Sequence, residues 1–413
     1  MGYENLSREE DYVQSRVDEY VWQRARELGV SRRRFFQILT AGGAAAALSA
    51  RSSPQAWSAQ TAPTPVVKST PQELFNDFGS NKEMRWENMY ERGYLVPHEL
   101  FFVRNHTRTP LVDATTWRLR IDGSGIEKPM ELTYDELLAL PSVSVICYVE
   151  CAGNGRSFFA AVHGKKADGT QWKLGAIGVA EWTGVPLSEV LARAGLKKSA
   201  RDVMPEGLDD LKVRRPLPVA KALEGDTILA YAMNGQPLPP DHGFPVRALL
   251  PGWIGVANIK WVGRIEVSET PLFSSWNTDT YILIGPDYKP APPSKGPVLS
   301  HQDLKSALEL PWDGTVSVAR RLVRGRSWSP FGKIVKVEYS LDHGTSWQTA
   351  RLREPNMVAA WVRWDFDWEP KPGKHTIRVR ATDEKGNTQP DNVPFNQQGY
   401  LYNAMVDHPF EVR

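Results

Sequence analysis

Short apolar runs alternate with stretches of helical periodicity in the middle of the chain. Residues 117–122, 142–151 and 259–267 contain the β-branched and aromatic side chains that are typical of strands, and residues 142–151 read as a buried one. Residues 133–140 and 186–194 instead show helical spacing of their apolar side chains. This pattern predicts an α+β domain of mixed helices and strands.

A two-residue periodicity begins after a proline-rich crossing segment at residues 285–297. Apolar side chains alternate with polar ones in two stretches, Val335, Val337, Tyr339 and Leu341 in the first and Ile377, Val379 and Ala381 in the second. Turn signals lie at residues 342–344, 371–373 and 384–386. Alternation and turns together predict an all-β, immunoglobulin-like sandwich.

The first 59 residues have the features of an export signal with an N-terminal extension. Three consecutive arginines at residues 32–34 precede an apolar stretch at residues 38–50, which is shorter than the roughly 20 residues of a membrane-spanning helix. This arrangement indicates a twin-arginine signal; the alternative is a soluble surface helix followed by an alanine-rich linker. We expect cleavage between residues 50 and 60 and a periplasmic or other extracytoplasmic location. Because this route carries folded proteins, it favours a cofactor inserted before export.

Length and composition fit two to three globular domains. The chain has 413 residues, of which 41% are hydrophobic, so it can bury sizeable cores. We predict the export signal and extension at residues 1–59, a first domain at residues 60–283 and the sandwich at residues 284–413. A net charge of +2, from 50 basic and 48 acidic residues, provides no global field for nucleic acid or an acidic membrane. Any anion site must therefore be local.

Cys147 and Cys151 are the two cysteines of the chain, and both lie in the predicted strand at residues 142–151. Four residues of strand span about 13 Å, whereas a disulfide needs Cα atoms within about 7 Å, so the pair should not bridge. Cys147 fits a small buried apolar residue. Cys151 differs because Gly153 and Gly155 follow it in a turn that allows close approach of a large ligand. A single cysteine is too few for a structural zinc site.

Five short blocks follow one another along the chain from about residue 97. The run Cys-Ala-Gly-Asn-Gly-Arg-Ser at residues 151–157 is one block, and the others lie at residues 101–106, 207–209, 241–252 and 258–261. Together they resemble the sulfite oxidase family. The resemblance implies a sulfite-oxidase-type domain that binds molybdenum as molybdopterin, with Cys151 as the protein ligand of the metal. The residues it implies for the cofactor are Phe102, Arg104, Asn105, His106, Cys151, Asp209, His242, Arg247, Asn258 and Lys260.

The chemistry of these residue types agrees with a molybdopterin. Arg247, His242 and Lys260 suit a phosphate, and Asp209 can accept hydrogen bonds from ring amino groups. Taken singly, each is more often a surface or turn residue. Their occurrence in ordered blocks around Cys151 favours the cofactor.

The resemblance also implies oxidation of sulfite to sulfate by oxygen-atom transfer. Arg104 and Arg156 correspond to the family's substrate-binding arginines, and planar, permanently charged groups suit a small dianion. Trp172 matches a tryptophan that walls the pocket; the alternative is an ordinary core aromatic.

The sequence differs from many members of the family at two places that bear on the substrate. Residues 213–218 lack the tyrosine that many members carry before a Ser-hydrophobic-Pro run, and Phe395–Tyr400 lacks the arginine that many place before the glycine. Arg214 or Arg215 could serve instead. The alternatives are a sulfane-sulfur dehydrogenase molybdenum subunit, or an oxyanion or sulfoxide reductase of the same fold.

The partners are expected from the resemblance and from what the sequence lacks. There is no Cys-x-x-Cys-His motif for haem attachment, so electrons should pass to an external acceptor, for which a c-type cytochrome is the hypothesis. The family's sandwich domain implies a homodimer. A non-enzymatic alternative is an exported binding module in which Cys151 is merely buried, but it leaves the five ordered blocks unexplained.

Overall fold

The computed structural model describes residues 65–320 and 322–413. The predicted export signal and extension at residues 1–59 lie outside the described residues, and so do residues 60–64 of the predicted first domain. Among the described helices, none is both long and apolar enough to cross a membrane.

Strands make up most of the regular structure, and the described chain has 22 strands and five α-helices. The strands are β1 Phe75–Phe78, β2 Asn81–Met84, β3 Val103–Arg104, β4 Arg118–Asp122, β5 Met130–Thr133, β6 Val143–Glu150, β7 Ile177–Pro186, β8 Asp202–Gly207, β9 Leu217–Pro218, β10 Ile228–Met233, β11 Gln236–Pro237, β12 Arg247–Leu249, β13 Val262–Ser268, β14 Lys305–Leu308, β15 Gly314–Val316, β16 Leu322–Trp328, β17 Ile334–Ser340, β18 Gln348–Thr349, β19 Arg351–Arg353, β20 Trp361–Asp367, β21 Gly373–Asp383 and β22 Asp407–Val412. The α-helices are α1 Tyr134–Leu138, α2 Phe158–His163, α3 Leu187–Arg193, α4 Val219–Ala222 and α5 Ser275–Thr278, and 3-10 helices cover Trp86–Met89, Pro240–His242 and Gly255–Ala257.

The elements predicted for the first domain are all present, as β4, α1, β6, α3 and β13, with ends that differ by at most three residues. Helix α1 begins where expected because Thr133 and Glu136 form a capping box. The Thr133 hydroxyl accepts from the Glu136 N–H at 3.2 Å, and the Glu136 carboxylate accepts from the Thr133 N–H at 2.8 Å. The domain combines helices and strands, as predicted, but it is mostly sheet.

Two larger sheets and one small sheet build the first domain. The sheet β11-β10-β7-β6, with β12 also on β10, is antiparallel. The sheet β5-β4-β13-β8-β9 contains one parallel pair, β4 with β13, and β1-β2-β3 form the small sheet. Leu119 and Ile265 of one large sheet share a buried cluster with Val185 and Leu229 of the other. Ala248 of β12 and Ala152, which lies just past the end of β6, belong to the same cluster.

The C-terminal part is a sandwich of two sheets, β14-β16-β20-β19 and β15-β22-β21-β17-β18. Val323 of the first sheet and Ile377 of the second lie in one buried cluster. The rings of Tyr339 and Phe366 stack between the sheets with centroids 3.5 Å apart. A two-sheet β domain is therefore present as predicted, and its immunoglobulin-like character stays a prediction.

The predicted alternation is wrong at the beginning of β17. Its register against β21 shifts between Ile334 and Lys336, which is a β-bulge. Because the bulge inserts one residue, Ile334 and Val337 both face the core, while Val335 is 55% exposed. Leu341 lies beyond the end of β17 and is also exposed. The second predicted alternation is confirmed, since its apolar residues are all buried, namely Ile377, Val379 and Ala381.

A buried carboxylate joins the two parts of the chain at the end of β6. Glu150 is fully buried, and its Oε1 accepts hydrogen bonds from Lys305 Nζ at 2.8 Å and Asn154 Nδ2 at 2.9 Å. Its Oε2 accepts from Trp328 Nε1 at 3.0 Å, and its main-chain oxygen accepts from Gln302 Nε2 at 2.6 Å. Lys305 and Trp328 belong to the sandwich, so this ion pair holds the sandwich against the first domain.

A second buried ion pair lies on the same face of the sandwich. Arg326 Nε donates to Glu309 Oε1 at 2.7 Å, and Arg326 Nη2 donates to the Gly93 carbonyl at 3.1 Å. Tyr94 and Trp361 exchange hydrogen bonds, with the Trp361 Nε1 donating at 2.9 Å and the Tyr94 hydroxyl at 2.6 Å. The sandwich is thus bound to Gly93 and Tyr94 of the first domain in addition to Glu150.

We predict that Lys305→Met lowers the free energy of unfolding by about 3–5 kcal/mol, because it leaves the Glu150 carboxylate buried without its cation. The control is Lys295→Met, in which a lysine that is 68% exposed and pairs with Asp279 is lost at a cost below about 1 kcal/mol. Denaturant unfolding followed by tryptophan fluorescence measures both. Equal losses in the two variants would contradict the role of the Glu150 pair.

Candidate functional site

Cys151 directly follows strand β6 and lines a cavity. The Cys151 N–H donates to the Ala176 carbonyl at 2.9 Å, and the Cys151 carbonyl accepts from the Asn154 N–H at 2.9 Å. Gly155 has a φ of 91°, which favours glycine at this turn, as predicted. Gly255 packs closely against this turn, since a Cβ there would lie 2.7 Å from the Glu150 carbonyl oxygen and 3.3 Å from the Cys151 Cα. Two hydrogen bonds and this close contact therefore hold the Cys151 backbone.

Both cysteines are buried and free, so the prediction that they do not form a disulfide is confirmed. Cys147 lies inside β6, and burial raises the pKa of its thiol. Cys151 lies just past the strand and lines the cavity. The two thiols thus have different environments, one inert and one facing a site.

All ten residues predicted to bind the cofactor line one cavity. It encloses about 700 Å³ of space including its open mouth. The predicted residues that line it are Phe102, Arg104, Asn105, His106, Cys151, Asp209, His242, Arg247, Asn258 and Lys260. The fold brings together blocks that are far apart in the sequence.

Three basic side chains form one wall of this cavity. Arg247 donates to the His242 carbonyl at 3.0 Å and to the Asn258 carbonyl at 3.1 Å. Among the described residues, neither Arg247 Nε nor His242 Nε2 has a hydrogen-bond partner, although both atoms are buried. Burial lowers the pKa of Arg247 to about 10, and burial together with the Arg247 charge lowers the pKa of Lys260 well below its usual value. Lys260 Nζ donates to the Asp241 carbonyl at 2.8 Å, so Arg247 Nε and His242 Nε2 are the atoms of these three side chains that the described residues leave for a ligand.

The phosphate of a molybdopterin fits these requirements. It carries negative charge and several acceptor oxygens, which would pair with Arg247 and Lys260. Buried polar atoms are nearly always hydrogen-bonded, so the unpaired atoms of Arg247 and His242 point to a ligand at this wall. The residues present therefore fit the cofactor.

Asp209 and Asn258 are two further predicted residues, and they differ in how many of their polar atoms already have hydrogen-bond partners. Asp209 Oδ1 accepts from the Val213 N–H at 2.9 Å, which leaves the other carboxylate oxygen for a donor in the cavity. The Asn258 amide is instead occupied on both sides, by the Leu250 N–H at 2.8 Å and the Ile254 carbonyl at 3.2 Å. Asn258 thus shapes the loop that borders the cavity.

Tyr281 completes the cavity and was missed by the sequence analysis. Its hydroxyl accepts from Arg104 Nη2 at 3.3 Å and lies 3.0 Å from His106 Nε2. Burial, with Arg104 and Lys260 nearby, lowers the pKa of His106 to about 2, so this ring is neutral. Tyr281 has a positive φ of 55°, which is uncommon for a bulky residue. No motif surrounds it, and it lies 20 residues beyond the last block, which ends at residue 261, so no local signal pointed to it.

Arg156 does not line the cavity, although it was predicted to contact the substrate. Its Nε donates to the Gln398 carbonyl and its Nη1 to the Thr170 carbonyl, both at 2.8 Å. The guanidinium lies 5.2 Å from the centroid of the Tyr400 ring, which stacks on Tyr281 with centroids 5.0 Å apart. Arg156 therefore lies behind two aromatic rings.

Trp172 is also placed one layer outside the cavity. Its ring is fully buried and meets the Phe102 ring edge-on, with centroids 6.4 Å apart. Its Nε1 has no hydrogen-bond partner among the described residues. Trp172 supports the wall formed by Phe102.

Asp241 links the site to the beginning of the described chain. Its carboxylate accepts from the N–H of Val67 at 3.0 Å, the N–H of Lys68 at 2.7 Å and the hydroxyl of Thr109 at 2.5 Å. The Lys68 ammonium in turn donates to the Phe101 carbonyl. A residue of one cofactor block thus anchors the first described residues of the chain.

Comparisons with known proteins agree with this site. The model of the oxidoreductase molybdopterin binding domain matches residues 106–276, and that of the Mo-co oxidoreductase dimerisation domain matches residues 300–409. Mitochondrial sulfite oxidase of Homo sapiens is 35% identical over 360 residues, covering 82% of this chain and 65% of the human one. Sulfite oxidase of Gallus gallus is 36% identical over 345 residues, covering 78% of this chain and 74% of the other.

A solved structure shows the same architecture. The sulfane dehydrogenase SoxCD from Paracoccus pantotrophus matches with a TM-score of 0.71 and 27% identity, over 86% of this chain and 92% of that one. The chain thus spans about 65% of the length of the human relative and nearly all of the length of the sulfane dehydrogenase chain. Cavity, family models and relatives agree that the chain belongs to the sulfite oxidase family of molybdenum–molybdopterin oxidoreductases.

Proposed function

We propose that this protein oxidises sulfite to sulfate by oxygen-atom transfer at a molybdenum centre that Cys151 ligates. The observation that carries the proposal is the presence of the Cys151 thiol and the Arg104 guanidinium in one cavity, beside a basic wall that suits a phosphate. When bound, the molybdenum cofactor supplies an oxo group and takes up two electrons. The relatives named sulfite oxidase support this choice of reaction.

The chain's own residues have separable tasks in this proposal. Cys151 provides a soft thiolate, which suits molybdenum better than an oxygen ligand would. Arg104 offers charged planar donors to the oxygens of sulfite, and its hydrogen bond to Tyr281 orients the guanidinium. His106 is neutral and pairs with the same hydroxyl, so it fixes Tyr281 without adding charge. Positive charge at the substrate therefore comes from arginine.

Oxidation of sulfane sulfur is the second candidate. The likeness to sulfane dehydrogenase SoxCD extends over 86% of the chain. Gln398, which stands where many family members carry an arginine, donates to the Asp279 carbonyl at 2.9 Å and accepts from Arg156 through its main-chain oxygen. A glutamine at this position provides one positive charge fewer beside Arg156 than an arginine would, and this departure favours a substrate other than sulfite. Turnover of sulfite and of a protein-bound persulfide, measured on one sample, separates the two candidates.

We also propose that the protein acts outside the cytoplasm as a homodimer and transfers electrons to a c-type cytochrome. The twin-arginine motif at residues 32–34 supports export, and the match to a dimerisation domain at residues 300–409 supports the dimer. The cytochrome is inferred because the sequence has no haem-attachment motif of its own. The predicted division at residues 59 and 283 and the immunoglobulin-like connectivity of the sandwich belong to the same proposal.

We predict that Cys151→Ser lowers kcat with sulfite by more than about a hundredfold, since loss even of outer-shell partners of a metal costs about 10–100-fold. Cys147→Ser, the matched control four residues away in β6, should keep wild-type turnover. A cytochrome c reduction assay and molybdenum analysis on the same samples measure the effect. Wild-type activity in Cys151→Ser would refute the ligand role.

We predict that Arg104→Gln lowers kcat/KM for sulfite by about 10–100-fold, as expected for one charged hydrogen bond, while molybdenum content stays unchanged. Arg108→Gln is the control, because Arg108 is 64% exposed and pairs with Asp210 at 3.4 Å. Steady-state kinetics at low ionic strength give both values. Unchanged kinetics in Arg104→Gln would remove Arg104 from the substrate site.

A further inference from the structure

Three arginine side chains converge on the ring of Tyr281. Arg104 donates to its hydroxyl, and the Arg215 guanidinium lies 6.0 Å from its ring centroid. Arg156 lies behind Tyr400, which stacks on the Tyr281 ring. Across the described chain, the hydrogen-bond partners of these guanidinium groups are main-chain carbonyls and the Tyr281 hydroxyl, without a carboxylate. The cluster is therefore a concentration of positive charge that the protein leaves unbalanced.

Arg215 is the member of this cluster with no task in the proposed function. It is 2% exposed, and it donates to the carbonyls of Trp276 and Leu299 on either side of Tyr281. Its buried Nε has no partner among the described residues. Burial lowers its pKa only to about 10, so Arg215 remains a cation at neutral pH. A buried cation without a counter-charge costs several kcal/mol, and a ligand anion would offset that cost.

The neighbouring Arg214 shows that burial of Arg215 is specific to its position. The Arg214 side chain is 44% exposed and pairs with Glu206 at 3.1 Å. Two adjacent arginines thus differ in both solvent contact and charge compensation. Arg214 serves as a matched control for Arg215.

Arg215 does not line the cavity, so its charge acts across the Tyr281 ring. Tyr281 does line the cavity, and its backbone oxygen accepts from the N–H of Leu299, whose carbonyl Arg215 holds. The Arg215 charge lies in a weakly polarisable interior, so it attracts an anion in the cavity across the Tyr281 ring. At equal distance its attraction for a dianion is twice that for a monoanion. Such a charge therefore changes selectivity between ligands of equal shape.

We propose that Arg215 is a positioning residue that acts through Tyr281 and makes the cavity select dianionic ligands over monoanionic ligands of the same shape. The inference rests on the proposed function, because it takes the anion to bind beside Arg104 and Tyr281. It deepens that function by assigning the choice between anions of different charge to a residue outside the cavity lining.

The test compares two tetrahedral anions that differ by one charge, sulfate and methanesulfonate. Calorimetric titration of the cofactor-loaded protein gives a Kd for each, independently of turnover. In the wild type sulfate should bind more tightly, and Arg215→Met should reduce the ratio of the two affinities by about tenfold. Arg215→Lys keeps the charge and should preserve the ratio, and Arg214→Met should leave it unchanged. If Arg215→Met does not fold, Arg215→Gln takes its place.

The outcomes separate the inference from the function beneath it. An unchanged ratio in Arg215→Met, with both anions weakened alike, shows that Arg215 merely clamps two carbonyls and overturns the inference. A ratio lost in a folded Arg215→Lys also overturns it. If Arg104→Gln binds sulfate as tightly as the wild type does, the proposed function itself fails.

Discussion

The buried carboxylate of Glu150 is the contact on which both the fold and the site depend. It ends β6, directly before Cys151, and it receives a lysine and a tryptophan from the sandwich. Because a buried charge without its partner is strongly unfavourable, the sandwich and the first domain must keep this relative position. The position of the candidate metal ligand is thereby set by residues about 150 positions later in the chain.

Buried positive charge is the second organising feature of the molecule. The chain as a whole is nearly neutral, with a net charge of +2, yet Arg104, Arg247 and Lys260 line one cavity together with the carboxylates of Asp209 and Asp241. Burial lowers the pKa of Arg247 and of Lys260, which shows how much the apolar surroundings disfavour these cations. An anionic cofactor offsets this cost, so the loaded protein is expected to be more stable than the empty one.

The second layer around the cavity determines how its lining residues are presented. Trp172 supports Phe102, Tyr400 separates Arg156 from Tyr281, and Asp241 ties the first described residues to the cofactor blocks. Tyr281 keeps its positive φ because the residues around it over-determine its position. The side chains that line the cavity are therefore held in place by the side chains packed behind them.

The sequence by itself determined the chemistry of the site and most of its elements. Helical periodicity identified α1 and α3, because it reflects which face of a helix is buried, and β-branched and aromatic content identified β6. The motif blocks contained all ten residues that were predicted to bind the cofactor, and all ten line the cavity, because each block carries its donor types within a few positions. Tertiary structure alone decided the places of Tyr281, Arg215, Arg156 and Trp172. Their roles depend on contacts between distant segments, as does the bulge that exposes Val335, and no local pattern records such contacts.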